Sequence, residues 1–496
     1  MNRLRRWSAL SWLLLPAALL LSAVRGEPPP AKEKKADDKP AEKAEKWLLD
    51  RTLAVTPAAA PVPALKYRLY PSTMDRKEGN AVPIYSRFAH ERSDARTKQI
   101  QDEPRKWNKV PLEKLPLDEV KKFLDSYKYN FRQLELGARR RTADWNYTLD
   151  AGDPIGLMLP DMQDMRRHAP MLVLKARVEI AERRYADALH TLETGFSFSQ
   201  QTCEAPFLIS HLVGVACATL FADCLLELIE RPDAPNVYWA LAVVPRPLID
   251  MRKGYEFEQR MLELQFPDLA ELDRPRSAEE WDAAFSRILI GVRKELERLA
   301  KLDKEIKPPK SGNAPTDPAS KSPDLPAARK YLAEVAGMSA ARIEAMPPAE
   351  VLLLYMVKLY HELRDDVYKG AYLPFSQSRS LVREAEARLK SAPDTEAGQL
   401  ARMLLPAVPK VLLAQVRLER KLAALRAIEA LRMHAAHGGQ LPDKLDEVTI
   451  VPVPLDPGSG KPFEYQRDGQ SATLISRIPG EELDKNGLRY RLTIRK

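Results

Sequence analysis

The sequence predicts a mainly α-helical protein, an irregular α-solenoid of helical hairpins that ends in a small C-terminal β-hairpin module. Three observations lead to this prediction. Through the middle of the chain, apolar residues recur at three- and four-residue spacings, the period of a helix with one buried face. Strand signals are scarce before residue 445. With 45% apolar residues among 496, the chain can bury a large core, which we expect to be divided between two domains.

Residues 1–26 have the pattern of a secretory signal peptide. Arg3, Arg5 and Arg6 precede the apolar run SALSWLLLPAALLLSAV, and small residues follow it, in the order typical of an export signal. The run is short for a membrane span, which needs about 20 apolar residues. An uncleaved membrane anchor overlaps in length and is the alternative. The signal predicts a periplasmic or secreted protein that associates with a membrane only where this segment is retained.

Residues 27–46 are predicted to form a disordered tether. The stretch EPPPAKEKKADDKPAEKAEK contains no aromatic and no β-branched residue, so it cannot bury enough apolar surface to offset the entropy lost on ordering. Without the four arginines of the signal, the chain's 78 basic residues become 74, against 69 acidic ones. This nearly even mixture predicts a solvated surface and no nucleic-acid partner.

Three cysteines, Cys203, Cys217 and Cys224, are too few for a fold held together by disulfides. Cys217 and Cys224 lie seven residues apart in a predicted helix, about 10 Å along its axis, which is too far for a bridge. A bridge from Cys203 to either of them stays open. We expect buried free thiols.

Three stretches carry the apolar spacing of amphipathic helices. In residues 117–141 the apolar stripe consists of Val120, Phe123, Leu124, Tyr127, Phe131 and Leu134. Residues 277–302 open with a capping box of Ser277 and Glu280. The predicted buried face of this helix contains Trp281, Phe285, Ile288, Leu289, Val292, Leu296 and Leu299. Residues 347–370 have proline at the helix start and glycine at its end.

Residues 171–196, MLVLKARVEIAERRYADALHTLETGF, predict a helix, a turn at Glu182-Arg183-Arg184 and a second helix. The second helix resembles that of a tetratricopeptide repeat, because its aromatic and small packing positions hold Tyr185, Ala188, Leu192 and Gly195.

Two further stretches resemble parts of such repeats. APNVYWALAVVP at 234–245 is similar to the opening of another unit, with Asn236, Tyr238, Trp239 and Leu241 in the pattern, and GNAVPIYSRF at 79–88 is a weaker match. The chain has no steady 34-residue period, so the resemblance implies a degenerate array of hairpins.

Residues 205–229, APFLISHLVGVACATLFADCLLELI, form either a buried helix, which we prefer, or a membrane span. His211 lies within the apolar run, and Gly214, Ala218 and Ala222 recur every four residues, which lets another helix approach closely. Residues 305–326 are rich in Pro, Ser and Lys and lack periodicity, so they predict a disordered insertion between helices.

From Val411 a long helix is predicted to run to Gly438-Gly439, followed by a β-hairpin. Phe463 and Tyr465 alternate with polar residues, Asp468-Gly469 has the pattern of a hairpin turn, and Ala472, Leu474 and Ser476 continue on the return strand.

The letters GSGK at 458–461 suggest a phosphate-binding loop, but the residues around them argue against one. Such a loop needs Gly where Leu455 stands and Ser or Thr where Pro462 stands. It must also lead from a strand into a helix, whereas a strand is predicted to follow here. Residues 456–460 are therefore predicted to be a turn.

The C-terminal segment resembles the major pseudopilins of type II secretion over about the last 80 residues. The residues that carry the resemblance are Gly439, Leu441, Pro442, Leu445, Pro454, Asp456, Pro457, Gly460, Pro462, Phe463 and Tyr465. It implies a long helix leading into a small sheet. The methylated pilin motif is missing, so assembly into a pilus is not implied. Pseudopilins bind calcium in the loop that follows; Glu481, Glu482 and Asp484 do not reproduce that motif, and we assign no calcium site.

The remaining candidate sites have ordinary structural explanations. His361 and Asp365 share a helix face but lack a third metal ligand, and His434 and His437 suit a helix end, where histidine meets exposed carbonyls. ARRRT at 138–142 is expected to close a helix rather than to bind phosphate. Trp145 and Tyr147 either line a pocket or, as we prefer, cover a gap between helices. We assign no catalytic, cofactor-binding or metal-binding residue.

The chain thus divides into the signal peptide, the tether, a helical-hairpin domain at 47–410 and a long helix with a β module at 411–496. The whole resembles exported bacterial proteins built from these parts. The first hypothesis is an exported, non-enzymatic interaction or structural protein that presents its helices to a protein or cell-envelope partner without a cofactor. The second is an exported hydrolase-like enzyme whose acidic residues converge from distant helices.

Overall fold

The computed structural model of the chain describes residues 46–90, 94–147, 160–302 and 325–495. The predicted signal peptide, all of the predicted tether except Lys46, and residues 305–324 of the predicted insertion lie outside these ranges. The protein is mainly helical with a small sheet at its C-terminus, as the sequence predicts.

The chain forms two compact units. Within the described residues, the larger unit comprises 46–146, 160–254 and 413–495, and the smaller unit comprises Tyr147, 255–302 and 325–412. Eight helices of the larger unit precede residue 254: α1 (Val82–His90), α2 (Asp94–Trp107), α3 (Leu117–Asp125), α4 (Lys128–Ala138), α5 (Pro160–Ala181), α6 (Tyr185–Thr202), α7 (Leu208–Ile229) and α8 (Tyr238–Ala242).

The helical hairpin predicted at 171–196 is confirmed as α5 and α6. In the turn between them Arg183 has a φ of 59°, and the Arg184 N–H donates to the carbonyl of Glu179 at 2.8 Å. The four predicted packing residues of α6 are buried: Tyr185, Ala188, Leu192 and Gly195. A Cβ at Gly195 would lie 2.6 Å from the ring of Phe221 on α7, so glycine allows α6 and α7 to pack at this distance.

The apolar helix α7 is buried, as we preferred. Among the described residues it alone is long and apolar enough to cross a membrane, but 67% of its apolar stretch is buried within the protein. Helices α5, α6 and α7 pack pairwise against one another. Close approach at the small residues is confirmed at Gly214, where a Cβ would lie 2.8 Å from the Ser199 carbonyl of α6.

Two helical stretches are divided or short in the structure. The stripe at 117–141 is buried as predicted, but the helix is divided at Ser126, whose Oγ donates to the carbonyl of Phe123 at 2.7 Å. The stretch at 234–245, which is similar to the opening of another repeat unit, forms only the five-residue helix α8. Pro245 and Pro247 follow, and proline lacks the N–H that a continuing helix requires.

The larger sheet has four strands in the order β1-β6-β5-β4. These strands are β1 (Leu49–Val55), β4 (Glu464–Asp468), β5 (Ser471–Ser476) and β6 (Leu488–Ile494). β4 and β5 form the predicted hairpin, with Asp468 opposite Ser471 and Gly469 at a φ of 60°. β1 was not predicted; it pairs in parallel with β6, from Leu49 opposite Leu488 to Val55 opposite Ile494.

A second, two-stranded sheet joins β2 (Lys77–Asn80) in parallel to β3 (Arg140–Thr142). It changes the expectation for ARRRT at 138–142. α4 does end at Ala138, but Arg140 begins a strand, and its side chain donates to the carbonyl of Glu78 at 2.7 Å.

The smaller unit is helical in its described residues. Its helices are α9 (Arg252–Gln265), α10 (Ala278–Leu302), α11 (Leu325–Glu334), α12 (Ala340–Ala345), α13 (Pro348–Lys369), α14 (Phe375–Lys390) and α15 (Glu396–Leu404). α13 packs against α10, α11, α14 and α15. The capping box is confirmed: the Ser277 N–H donates to Glu280 Oε2 at 2.8 Å, and the Glu280 N–H donates to Ser277 Oγ at 3.3 Å.

The predicted buried face of α10 is confirmed from Trp281 to Val292, where the five apolar residues assigned to that face are all buried. The side chains of Leu296 and Leu299 lie outside the described residues. Leu325 and Pro326, placed in the predicted insertion, begin α11.

The long helix α16 (Ala407–Gly438) begins four residues before the predicted start, and Gly439, at a φ of 75°, follows its end. Its last turns carry a fully buried ion pair, Arg432 Nη1 to Glu429 Oε1 at 2.7 Å. Arg432 also donates to the carbonyls of Thr56 and Ala234, and Glu429 Oε2 accepts the N–H of Val237 at 2.6 Å. α17 (Leu483–Asn486) and the single turns Leu112–Lys114, Pro267–Leu269, Gly370–Tyr372 and Leu445–Glu447 complete the helices.

The GSGK stretch is a turn, as predicted. The Gly460 N–H donates to the Asp456 carbonyl at 2.7 Å, and β4 follows at Glu464. The Asp456 carboxylate is buried, accepts the Ser476 hydroxyl at 2.6 Å and lies 3.3 Å from Nε of the fully buried Arg420 on α16. A Cβ at Gly458 would meet Arg420 at 2.8 Å. The glycines therefore serve the approach of an arginine, not of a phosphate.

We predict that Asp456→Asn destabilises the larger unit by about 3–5 kcal/mol, because it leaves the Arg420 charge buried without a counter-ion. Asp443→Asn is the matched control: Asp443 pairs with Arg467 but its side chain is 76% exposed, so its loss should cost at most about 1 kcal/mol. Urea denaturation followed by circular dichroism measures both. Equal losses from the two variants would contradict the structural role given to Asp456.

Candidate functional site

An exposed stripe of side chains lies along α4. Tyr129 is 54% exposed, Leu136 is 43% exposed, and Arg132 between them is also exposed. Their spacing of three and four residues places them on one helix face. Phe131 and Leu134 are buried, and α4 packs against α1 and α6. We name Tyr129, Arg132 and Leu136 the α4 stripe.

A cluster of charged side chains joins α4 to α6. We name its members, Glu135, Arg139, His190 and Glu193, the His190 cluster. Nε2 of His190 donates to Glu135 Oε1 at 2.9 Å, and Nδ1 of His190 lies 3.4 Å from Glu193 Oε2. Arg139 Nη2 donates to Glu193 Oε2 at 3.1 Å. Two carboxylates thus face two cationic groups.

The cluster fixes the charge of its histidine. Hydrogen bonds to Glu135 and then to Glu193 raise the pKa of His190 to about 9, although burial and Arg139 oppose the shift. The same contact lowers the pKa of Glu135. At neutral pH His190 is therefore a cation and Glu135 an anion.

A second polar group lies on the hairpin of α5 and α6. Lys175 Nζ donates to Glu179 Oε1 at 2.5 Å and to Thr191 Oγ1 at 2.7 Å, and Thr191 Oγ1 donates to Glu179 Oε2 at 2.7 Å. Glu179 is buried. The three side chains satisfy one another across the hairpin, which ties α5 to α6 through charge-assisted hydrogen bonds.

The raised pKa of His190 bears on whether this histidine can transfer protons. A general base needs a pKa near the working pH, and a histidine with a pKa of about 9 holds its proton there. The charged side chains of the His190 cluster lie beside the exposed Tyr129 and Leu136. They present oriented hydrogen-bonding groups at the edge of this apolar surface. Aromatic and apolar anchors surrounded by a polar rim are common in protein-binding surfaces.

Neither the α4 stripe nor the His190 cluster was predicted from the sequence. The local signal was present, because Glu135 and Arg139 are four residues apart and His190 and Glu193 are three apart, which places each pair on one helix face. Contact between the two pairs depends on how α4 packs on α6, and the sequence does not reveal that.

The cysteines are free and buried, as we expected. Burial raises the pKa of Cys203 above its ordinary value and that of Cys217 to about 12. His211 is fully buried, its Nδ1 donates to the Phe207 carbonyl at 2.9 Å, and burial lowers its pKa. Cys203 and His211 are both close to Glu204, Asp250 and Lys253. The Cys203 thiol donates to the Gln200 carbonyl at 2.9 Å, so this thiol and the His211 ring are each engaged by a backbone carbonyl.

Glu419 on α16 is a buried carboxylate with a structural partner. Its Oε1 accepts the N–H of Leu248 at 3.0 Å, and Gln415 one turn earlier donates to the Ile249 carbonyl at 3.0 Å. Burial raises the pKa of Glu419 to about 7. The two side chains hold the segment after α8 against α16.

Two of the histidines considered as metal ligands, His361 and His437, contact other groups of the protein. His361 Nε2 contacts Glu263 Oε1 at 2.7 Å, and Asp365 accepts Nε of Arg364 at 2.9 Å. His437 Nδ1 contacts the Met433 carbonyl at 3.0 Å, at the end of α16. Among the residues that the structure describes, no group of three or more His, Cys, Asp or Glu side chains is placed to hold a metal ion.

In two further candidate sites considered from the sequence, the side chains bind other groups of the protein. Trp145 is buried and its Nε1 donates to the Gln201 carbonyl near the end of α6 at 3.1 Å. In the loop compared with the calcium loop of pseudopilins, Glu481 accepts Nδ2 of Asn486 at 3.2 Å and Glu482 pairs with Lys485 at 2.5 Å. The side chain of Asp484 lies outside the described residues.

Comparison with models of protein families found no match, and neither did searches of curated proteins and of solved structures.

We predict that stability contributed by His190 is present below pH 6.5 and is lost as the pH rises through about 9, because the folded state raises the pKa of this imidazole. A nuclear magnetic resonance titration of the ring protons should show a midpoint near 9. Glu135→Gln removes the strongest partner and should lower that midpoint. A midpoint near 6.5 in the unmodified protein would contradict the geometry of the cluster.

Burial of Glu419 disfavours its ionised carboxylate, so this residue also makes stability depend on pH. Its pKa rises from 4.5 to about 7 on folding, so the folded state binds the proton more tightly and stability falls as the pH rises from 4.5 through 7. Glu419→Gln keeps an acceptor for the Leu248 N–H and should flatten this fall, raising the melting temperature at pH 8 but not at pH 4.5. Parallel pH profiles of the two proteins would refute the assignment.

Proposed function

We propose that the chain is an exported, non-enzymatic interaction protein that binds a protein partner of the cell envelope through the α4 stripe and the His190 cluster. In this proposal residues 1–26 direct export and residues 27–46 act as a tether. Helices α4 to α7 act as tetratricopeptide-like hairpins of an irregular solenoid, and the pseudopilin-like C-terminal segment acts as a docking or capping module.

The α4 stripe is the observation that carries this proposal. A single exposed apolar side chain is ordinary on a protein surface. Here a tyrosine, an arginine and a leucine share one face of one helix, beside four side chains of fixed charge. Tyrosine and arginine are the residue types that most often contribute strongly to binding energy at interfaces.

The charges around the stripe indicate the chemistry of the partner. Residues 118–141 contain seven basic and four acidic side chains. A partner segment that combines apolar residues with Asp or Glu would complement both features, since opposite charge at an interface favours encounter and orientation.

The buried arrangement of α5 and α6 supports the hairpin part of the proposal. Tyr185, Ala188, Leu192 and Gly195 are all buried, as the corresponding positions of a tetratricopeptide repeat would be. Such hairpins expose the outer faces of their helices to partners.

The hydrolase-like alternative is less favoured by the described residues. An acid–base mechanism needs groups that exchange protons near the working pH and can reach a substrate. His190 is held as a cation, His211 is buried as a neutral ring, and Glu419 is engaged by the backbone of Leu248.

We predict that Tyr129→Ser combined with Leu136→Ser lowers partner binding about tenfold or more, since truncated interface anchors typically cost over 1 kcal/mol each. The matched control is Ile290→Ser with Val335→Ser, two side chains that are 67% and 56% exposed in the smaller unit. Cross-linking in envelope extracts identifies the partner, and titration of purified partner against each variant measures the affinity.

The control variant should bind as the unmodified protein does. Equal binding by both variants, or the absence of a stoichiometric partner, would refute the proposal. Cell fractionation tests the export premise independently, because intact protein with residues 1–26 in the cytosol would contradict it.

A further inference from the structure

The loop between β1 and β2 carries two exposed apolar residues at a tight turn. Val62 is 93% exposed and Leu65 is 50% exposed, and the five residues from Val62 to Lys66 are all exposed. The Lys66 N–H donates to the Pro63 carbonyl at 3.0 Å, which closes the turn. Pro61 and Pro63 restrict the backbone on the N-terminal side of this turn. We name residues 61–68, PVPALKYR, the apolar turn.

Both ends of the apolar turn are held by buried contacts. Before it, the Ala58 N–H donates to the Arg432 carbonyl at 3.1 Å, and the Ala58 carbonyl accepts Nδ2 of Asn236 at 3.0 Å. After it, Leu69 is fully buried, and the Tyr70 hydroxyl donates to Gln200 Oε1 at 3.4 Å. The turn is thus supported from α16 and α6 while its apolar side chains face away from the core.

The charges of this segment are of one sign. Residues 51–74 contain no acidic residue, and Lys66 and Arg68 follow directly on the apolar apex. Lys66 Nζ lies 5.2 Å from the centre of the Tyr67 ring. Aliphatic side chains at an apex, with tyrosine and basic residues behind them, are the combination that inserts shallowly into a lipid surface and contacts anionic headgroups.

The small size of the apolar turn favours a lipid surface over a protein as its binding partner. A stable protein interface covers roughly 800 Å² on each partner, far more than two aliphatic side chains can offer. A lipid bilayer can accommodate two small inserted side chains, because the lipids rearrange around them. Where the apolar run at 8–24 is retained as an anchor, the turn is also close to it in sequence, since it begins 15 residues after Lys46.

From these observations we infer that the apolar turn contacts the surface of an anionic lipid bilayer, with Val62 and Leu65 entering the headgroup region and Lys66 and Arg68 beside the lipid phosphates. The inference shares the export premise with the proposed function but does not depend on the α4 stripe or on a protein partner.

The test is vesicle binding by the purified full chain. Vesicles of phosphatidylglycerol and phosphatidylethanolamine are compared with phosphatidylcholine vesicles by co-flotation. We expect Val62→Ser with Leu65→Ser to lower binding to anionic vesicles about tenfold, and Lys66→Gln with Arg68→Gln to lower it and weaken its salt dependence. Ile290→Ser with Val335→Ser is the matched control and should bind as the unmodified protein does.

A probe on the turn separates its contribution from that of residues 1–26. The three native cysteines are buried, with raised thiol pKa values, so Val62→Cys can be labelled selectively with an environment-sensitive fluorophore. Emission from position 62 should shift to the blue with anionic vesicles, and emission from Ile290→Cys should not. No shift at position 62 on vesicle-bound protein, or a shift produced only by a protein partner, would overturn the inference. If the Tyr129/Leu136 variant loses partner binding but the emission at position 62 still shifts with anionic vesicles, the lipid contact is supported independently of the protein partner.

Discussion

The buried ion pair of Glu429 and Arg432 is the interaction on which the larger unit depends most. Both side chains are fully inaccessible, and a buried charge that loses its partner costs several kcal/mol. Together they bind backbone groups of Thr56, Ala234 and Val237. Two segments that are far apart in sequence, one at Thr56 and one at 234–237, are therefore fixed to a single turn of α16, and neither can move without leaving polar groups unpaired.

The same helix explains why a strand from the start of the described chain lies beside the last one. Arg432 holds the residue after β1, while Arg420 donates to the carbonyl of Asn486 just before β6. The twelve residues between the two arginines span roughly 18 Å of helix, comparable to the roughly 23 Å of the seven-residue β1. Long side chains bridge the difference, so α16 sets the register of a parallel pair whose members are 439 residues apart.

The ionisable groups of the larger unit lie in two different environments, the interior and the surface. Arg420, Glu429 and Arg432 lie in the interior and act on the backbone. The His190 cluster lies at the surface, where its fixed charges adjoin the α4 stripe. Sequence spacing alone could place Glu135 with Arg139, and His190 with Glu193, but Glu135 and His190 are 55 residues apart. The candidate surface therefore depends on the packing of α4 on α6 and could not be predicted from local pattern.

Local sequence patterns predicted the elements whose causes are local: the hairpin turn before Tyr185, the capping box of Ser277, the buried face of α10, the β4–β5 hairpin, and the turn at 456–460. Periodicity, caps and turn residues act within a few positions, so they can be read directly. Strand β1, the short α8 and the partners of Arg420 and Arg432 arise only from long-range packing. Parallel pairing and the neutralisation of buried charge join residues far apart in the chain, and no local pattern specifies which distant group will be met.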